Sequence, residues 1–165
     1  MLRKGDIIFL KPSDLIFKLI KRCFKRQFLH VGIVTNVEYG HVSVTEALPR
    51  GVDVNDFIWH EKKKEDYVVY RNVAATPQMI ENIVDAAVQY HGTPYEKGIV
   101  INAIIRCSWC GTARAVCCSE LIYRVLRGLR QIKDAYNQEW ILPTDLLNLM
   151  IADTRYKKVG DKVYQ

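Results

Sequence analysis

The chain has 165 residues, of which 49% are apolar and 25% charged, and a formal net charge of +6. That length and balance suit one soluble globular domain with its own core, and no apolar run approaches the length that spans a bilayer. Five cysteines, at 23, 107, 110, 117 and 118, form an odd set with no secretory signal ahead of them, which argues against a disulfide framework.

The opening MLRKGDIIFLKPSD has basic residues and one brief apolar patch that ends at Lys11-Pro12 with no small-residue cleavage site, so a cytoplasmic protein is expected. GDIIFL (5–10) reads as a strand. SDLIFKLIKRCF (13–24) fits a helix capped by Ser13 or Asp14, with Ile16, Leu19, Ile20 and Phe24 on one face. HVGIVTNVEYGHVSVTEAL (30–48) reads as two strands around a turn near Glu38–Gly40, and YVVYRNV (67–73) as another strand.

TPQMIENIVDAAVQYHG (76–92) is the clearest helix. Thr76 caps it, Pro77 fits its first position, Gly92 ends it, and Ile80, Ile83, Val84, Ala87 and Val88 form its buried stripe. A second helix over 117–128 carries Leu121, Ile122, Val125, Leu126 and Leu129 on one face, and a short third one starts at Thr144. KKVGDKVY (157–164) reads as a closing hairpin around Gly160-Asp161. With no repeat and no linker, residues 1–165 are expected to form a single α+β domain, an antiparallel sheet or partial barrel packed against helices.

Cys118 stands three, four and seven residues before Leu121, Ile122 and Val125, at the start of a helix and on its inward face. Free backbone N–H groups and the positive end of the helix dipole stabilise a thiolate there, and the same N–H groups can hold an oxyanion. The plain alternative is a small hydrophobe buried in a core. A nucleophile needs a base, and four histidines are available. His60 sits in the charge cluster WHEKKKED and reads as part of an exposed loop. His91 lies at a helix end, and His41 follows a turn. His30 opens a strand that continues VGIVT, a placement that is rigid and reachable, though it also suits a structural histidine. Glu46 breaks the apolar alternation Val42, Val44, Glu46 and comes opposite residues 31–33. A buried carboxylate there needs a partner, and the Nδ1–H of His30 would serve; a strand end already in solvent is the other reading.

Cys107-x2-Cys110 followed by Cys117 and Cys118 is a zinc cue, but adjacent cysteines on a helix point apart and no histidine is near in sequence, so neither a metal nor a cofactor is expected. The basic helix 14–26 suits an anionic membrane surface, and equally a core-packed helix with an ordinary polar face. The charge excess favours anionic partners in general; nucleic acid is not the one expected.

GDIIFL, HVGIVT, TEALPRGV, GTPYE, CCSELIYRVL and LPTDL, in that order from Gly5 to about Leu147, resemble the motifs of the circularly permuted NlpC-type papain-like cysteine hydrolases, the YiiX/YebB-like group. The resemblance implies a papain-like core in which the histidine strand precedes the cysteine helix. It implies Cys118 as nucleophile, His30 as base, Glu46 as the acidic partner, and Tyr95 of GTPYE beside the site, polarising the substrate carbonyl. The implied chemistry is acyl transfer through a thioester on an amide of a peptide or acyl-amide substrate. A lipid acyltransferase or phospholipase of the lecithin:retinol acyltransferase type and a non-catalytic lipid-binding module are the alternatives. Cys117 has no counterpart in the motif, and residues 96–116, with Cys107, Trp109 and Cys110, match it least.

Overall fold

Six strands join into one antiparallel sheet in the order β4-β3-β2-β1-β5-β6. They are β1 (Ile7–Lys11), β2 (His30–Glu38), β3 (His41–Leu48), β4 (Gly51–Asp56), β5 (Asp66–Asn72) and β6 (Tyr156–Lys162). Among the described residues, four helices accompany them: α1 (Ile58–Lys62), α2 (Pro77–Val88), α3 (Cys118–Gly128) and α4 (Pro143–Ala152). The structure, a computed structural model, describes residues 1–11, 30–95, 116–132 and 141–164. The helix expected over 13–24 with its basic face to residue 26, and Cys23, Cys107, Trp109 and Cys110, lie outside the described residues.

β1 is apolar on both faces because the sheet is covered on both. Ile7 and Phe9 join the main core with the helices, while Ile8 and Leu10 join a second cluster with Val34, Val44, Phe57 and Val69. The buried Asp6 just ahead of it is held by Arg71 of β5 through Nε at 2.7 Å and Nη2 at 2.8 Å. The β2–β3 turn uses Tyr39 and Gly40, both with positive φ, the two-residue geometry that matches strand twist.

Two expectations change. Residues 157–164 are not a hairpin: 156–162 form the single strand β6 along the free edge of β5. Gly160 stands opposite Val69 and Lys158 opposite Tyr70, so Val159 is left as a bulge. The glycine marks a kink in one strand rather than a turn between two. The second change is that residues 51–62, which carried no expected element, form β4 and α1.

The helices follow their stripes. Thr76 accepts from the Met79 N–H at 3.3 Å and Pro77 opens α2, which ends at Val88, before Gly92. Ile83, Val84 and Ala87 are buried; Ile80 is half-buried, and Val88 at the frayed end is exposed. α4 opens one residue early, on Pro143. In α3, Leu121, Ile122, Val125 and Leu126 are all buried. At about 1.5–3 kcal/mol for each such side chain, they fix the helix's rotation against β2, β3 and α2. Among the described residues, no helix is long and apolar enough to cross a membrane.

Candidate active site

The rotation of α3 separates the two adjacent cysteines. Cys117 is the N-cap, in extended conformation, and its N–H donates to Glu120 Oε2 at 3.4 Å. Its Sγ lies 3.5 Å from Ser119 Oγ and 4.0 Å from the Ile141 carbonyl, to which the Ser119 hydroxyl also donates at 2.5 Å. Burial pushes the Cys117 thiol up to about 12, and the neighbouring Cys118 adds to the effect. Cys117 is therefore a buried N-cap whose thiol favours its protonated form. Cys118 is the first residue of the helix, 5% exposed, among the first-turn N–H groups that have no partner within the helix.

His30 is the first residue of β2 and Glu46 is in β3, with its Cα opposite that of Gly32. A Cβ on Gly32 would stand 2.5 Å from Val44 Cγ1 and 3.4 Å from Glu46 Cβ, so the glycine of HVGIV lets the two strands close with Glu46 inside. Glu46 is 0% exposed. His30 Nε2 and Glu46 Oε2 are 2.5 Å apart, and the Cys118 thiol lies close enough to the ring to help raise the His30 pKa. The expected Nδ1 contact to Glu46 is thus corrected to Nε2. Nδ1 lies nearer its own main chain, and Nε2 extends to the diagonal position on β3. Burial by itself would lower the His30 pKa, but hydrogen bonds and charge from Cys118 and Glu46 outweigh it and raise it to about 10. Burial likewise opposes the Glu46 charge, and His30 and His60 overcome it, holding the carboxyl well below its usual range.

His60 is the residue that sequence reasoning missed. It was expected in an exposed loop; it is 3% exposed, on α1. Its Nε2 lies 3.2 Å from Glu46 Oε1, which also accepts from Asn55 Nδ2 at 3.1 Å. Its Nδ1 lies 2.7 Å from Oε2 of Glu65, itself buried. The chain brings Glu65 back to His60 through the helix end. Lys64 takes positive φ, the Lys64 N–H donates to the Glu61 carbonyl at 3.0 Å, and the Glu65 N–H donates to the His60 carbonyl at 3.2 Å. These are the paired bonds of a Schellman ending. The available signal was Phe57 and His60 three residues apart, one turn of an inward face; Phe57 is buried within the sheet's second cluster.

Tyr95 is half-buried and bridges to Val116 in parallel, which sets its side chain near Cys117 and Cys118. Burial, then the charge of those cysteines, pushes its hydroxyl pKa upward, so it stays a neutral donor. His41 and His91 are exposed, with ion-pair distances to Asp56 of 3.4 Å and to Asp53 of 3.7 Å; neither is brought to the site. One connected row results: Cys118, His30, Glu46, His60, Glu65. Among the described residues, no three His, Cys, Asp or Glu side chains are placed to hold a metal ion.

A family model described as permuted papain-like amidase enzyme, YaeF/YiiX, C92 family, matches residues 1–140. The chain belongs to this family. Membership makes it a cysteine amidase in kind, on the permuted papain-like fold. The crystal structure of the metalloprotein yiiX from Escherichia coli O157:H7 is similar to it with a TM-score of 0.70 at 18% identity, over 98% of each chain. That likeness carries the fold, and the six-stranded antiparallel sheet with its helices agrees with the α+β class expected from the sequence. No curated protein was found to match the chain.

Proposed function

We propose that this permuted papain-like amidase cleaves an amide of a peptide or acyl-amide substrate through a Cys118–His30–Glu46 triad. The observation that carries the reading is the row at the start of α3: a buried carboxylate on His30 Nε2, with the Cys118 thiol near enough to the same ring to help hold it charged. The Cys118 proton passes to His30 Nδ1, and the sulfur attacks the carbonyl carbon. The oxygen takes the negative charge, among the first-turn N–H groups of α3 and the hydroxyl of Tyr95. Collapse of that intermediate breaks the C–N bond. The imidazolium gives its proton to the departing amine and leaves a thioester on Cys118. Water, deprotonated by His30, then adds to the thioester and releases the acid. Glu46 holds the His30 tautomer throughout and balances the imidazolium.

yiiX is called a metalloprotein. In this chain His30, Glu46, His60 and Glu65 are hydrogen-bonded directly to one another, and among the described residues no three donors fit a metal. No step of this mechanism passes through one.

The test is substoichiometric iodoacetamide at pH 6–7 with mapping of the adduct, beside a screen of acyl-peptide and phospholipid substrates on wild type and Cys118→Ala. The expected result is selective alkylation of Cys118 and acyl-peptide turnover lost in the variant. Uniform slow labelling of all five thiols, or turnover that survives Cys118→Ala, would overturn the triad. Turnover of phospholipid alone would replace the amide with a lipid ester.

A further inference from the structure

His60 has a carboxylate on each ring nitrogen, Glu46 on Nε2 at 3.2 Å and Glu65 on Nδ1 at 2.7 Å. A neutral imidazole carries one N–H, so one of its nitrogens would present a lone pair to a carboxylate oxygen inside the protein. A buried acceptor facing an acceptor is costly. The doubly protonated ring satisfies both contacts. We propose that His60 is an imidazolium throughout the neutral range, clamped between Glu46 and Glu65, and that it is a positioning residue which holds the Glu46 carboxylate in line for His30. The proposal deepens the triad reading and, for its effect on catalysis, rests on it.

The groups facing His60 come from three directions. Glu46 on β3 and Glu65 after α1 favour its charge, and His30 on β2, with ring centroids 6.2 Å apart, opposes it. Phe57 and Trp59 flank the ring at centroid distances of 5.8 Å and 5.5 Å and supply no charge. Burial opposes the charge, and the two carboxylates outweigh both burial and His30, so the His60 pKa is raised. Two cations then share Glu46. Oε2 serves His30, His60 Nε2 lies 3.2 Å from both oxygens, and Oε1 also accepts from Asn55. The carboxylate is fixed at both oxygens and cannot rotate away when His30 gains or gives its proton. His60 also draws off part of the Glu46 field, so that His30 can still release its proton to the departing amine.

The primary measurement is ring 15N NMR of the full chain labelled at histidine, with His60 assigned from the signals lost in His60→Gln. Both His60 nitrogens are expected to be protonated from pH 5 to 8. One unprotonated His60 nitrogen at pH 7 overturns the clamp, and this readout needs neither substrate nor activity. Glu65→Gln removes one carboxylate and leaves an acceptor of the same shape. The His60 midpoint should then fall by about one pH unit or more; an unmoved midpoint contradicts the assignment. For the positioning role, the pH profile of Cys118 alkylation is compared in wild type and His60→Gln. Loss of the second cation should move the alkaline limb, where His30 loses its proton, to higher pH. An unchanged limb in a folded variant means that His60 is structural only. Should His60→Gln fail to fold, 13C–15N correlations assign the ring in the wild type, and Glu65→Gln carries the alkylation profile: a lowered His60 charge should move the same limb the same way. Turnover that survives Cys118→Ala would remove the triad and leave the NMR result standing, so the two failures are distinct.

Discussion

The β2–β3 hairpin and the short helix α1 hold the two ends of one hydrogen-bonded row, and they hold them by different means. His30 and Glu46 sit on interior strands: His30 opens β2 opposite Leu10 of β1, and Glu46 is paired on both sides, with Gly32 and Asp53. His60 and Glu65 sit on a five-residue helix and the turn behind it, anchored by Phe57 below, with Ile58 and Trp59 in solvent. His30 and Glu46 are placed by the sheet, and the groups that support them by a single short turn of helix. The hairpin should therefore tolerate little change, and α1 more.

The largest expected effect is at the thiol end. His30→Ala should lower turnover by about 10³-fold or more, because a base and its tautomer control are lost together. His60→Gln should cost on the order of tenfold, the lower end of the loss typical when the support of a catalytic group is removed. Steady-state rates on one acyl-peptide substrate give both numbers. Equal losses would erase the distinction between the two regions.

Glu46 belongs to both, and its removal should show as pH-dependent stability. Its depressed pKa means that its contribution is complete above the unfolded value of 4.5 and is lost as pH falls through the much lower folded value. His30 has a raised pKa, so its share is complete below 6.5 and fades as pH climbs towards about 10. Glu46→Gln leaves two imidazoles facing an amide, at a cost of about 3 kcal/mol. The gap between wild type and variant in urea melts should be widest near pH 5–6.5 and shrink on both sides. A gap independent of pH would mean that Glu46 acts by packing alone.

Gly32→Ala probes the hairpin without touching a charge. The added methyl meets Val44 Cγ1 at 2.5 Å, and Val44 is β-branched and fully buried, so the strands must part. A loss of about 1–3 kcal/mol is expected. Turnover should fall further than stability alone predicts, since Glu46 Cβ is the next atom met. Thermal melts and kcat on the same preparation check both.

The legible parts of this molecule are those whose pattern repeats over a whole element. The stripe of α3 put Cys118 at an inward helix start, and a carboxylate in the Val42-Val44-Glu46 alternation pointed to a buried acid. The stripe of α2 was legible except at its ends, where Ile80 and Val88 lose cover. α1 was hidden because five residues give a single inward turn, and Glu61 with Lys62, Lys63 and Lys64 carries the look of a solvated loop. The sequence of β6 misleads for a related reason. Gly160-Asp161 is turn chemistry in isolation, and only the open edge of β5 makes one strand of the segment. Short elements take their structure from what lies beside them, which the local sequence does not carry.

The smallest expected effect lies in the turn that returns Glu65 to His60. Lys64 holds a left-handed conformation at the end of α1, φ 53°, a position that glycine fills without a Cβ clash. Lys64→Gly removes that strain and adds freedom to the unfolded chain, for a net gain of about 0.5 kcal/mol. For a chain of this length that is a rise of about 1–2 °C in Tm. The ring 15N signals of His60 and the alkylation profile of Cys118 should stay as they are, because the paired bonds to the Glu61 and His60 carbonyls are made by backbone. If the rise comes with a change in the His60 signals, the side chain of Lys64 shapes the clamp as well as its main chain. A fall in Tm would mean that the lysine stabilises α1 by a contact worth more than the strain it imposes.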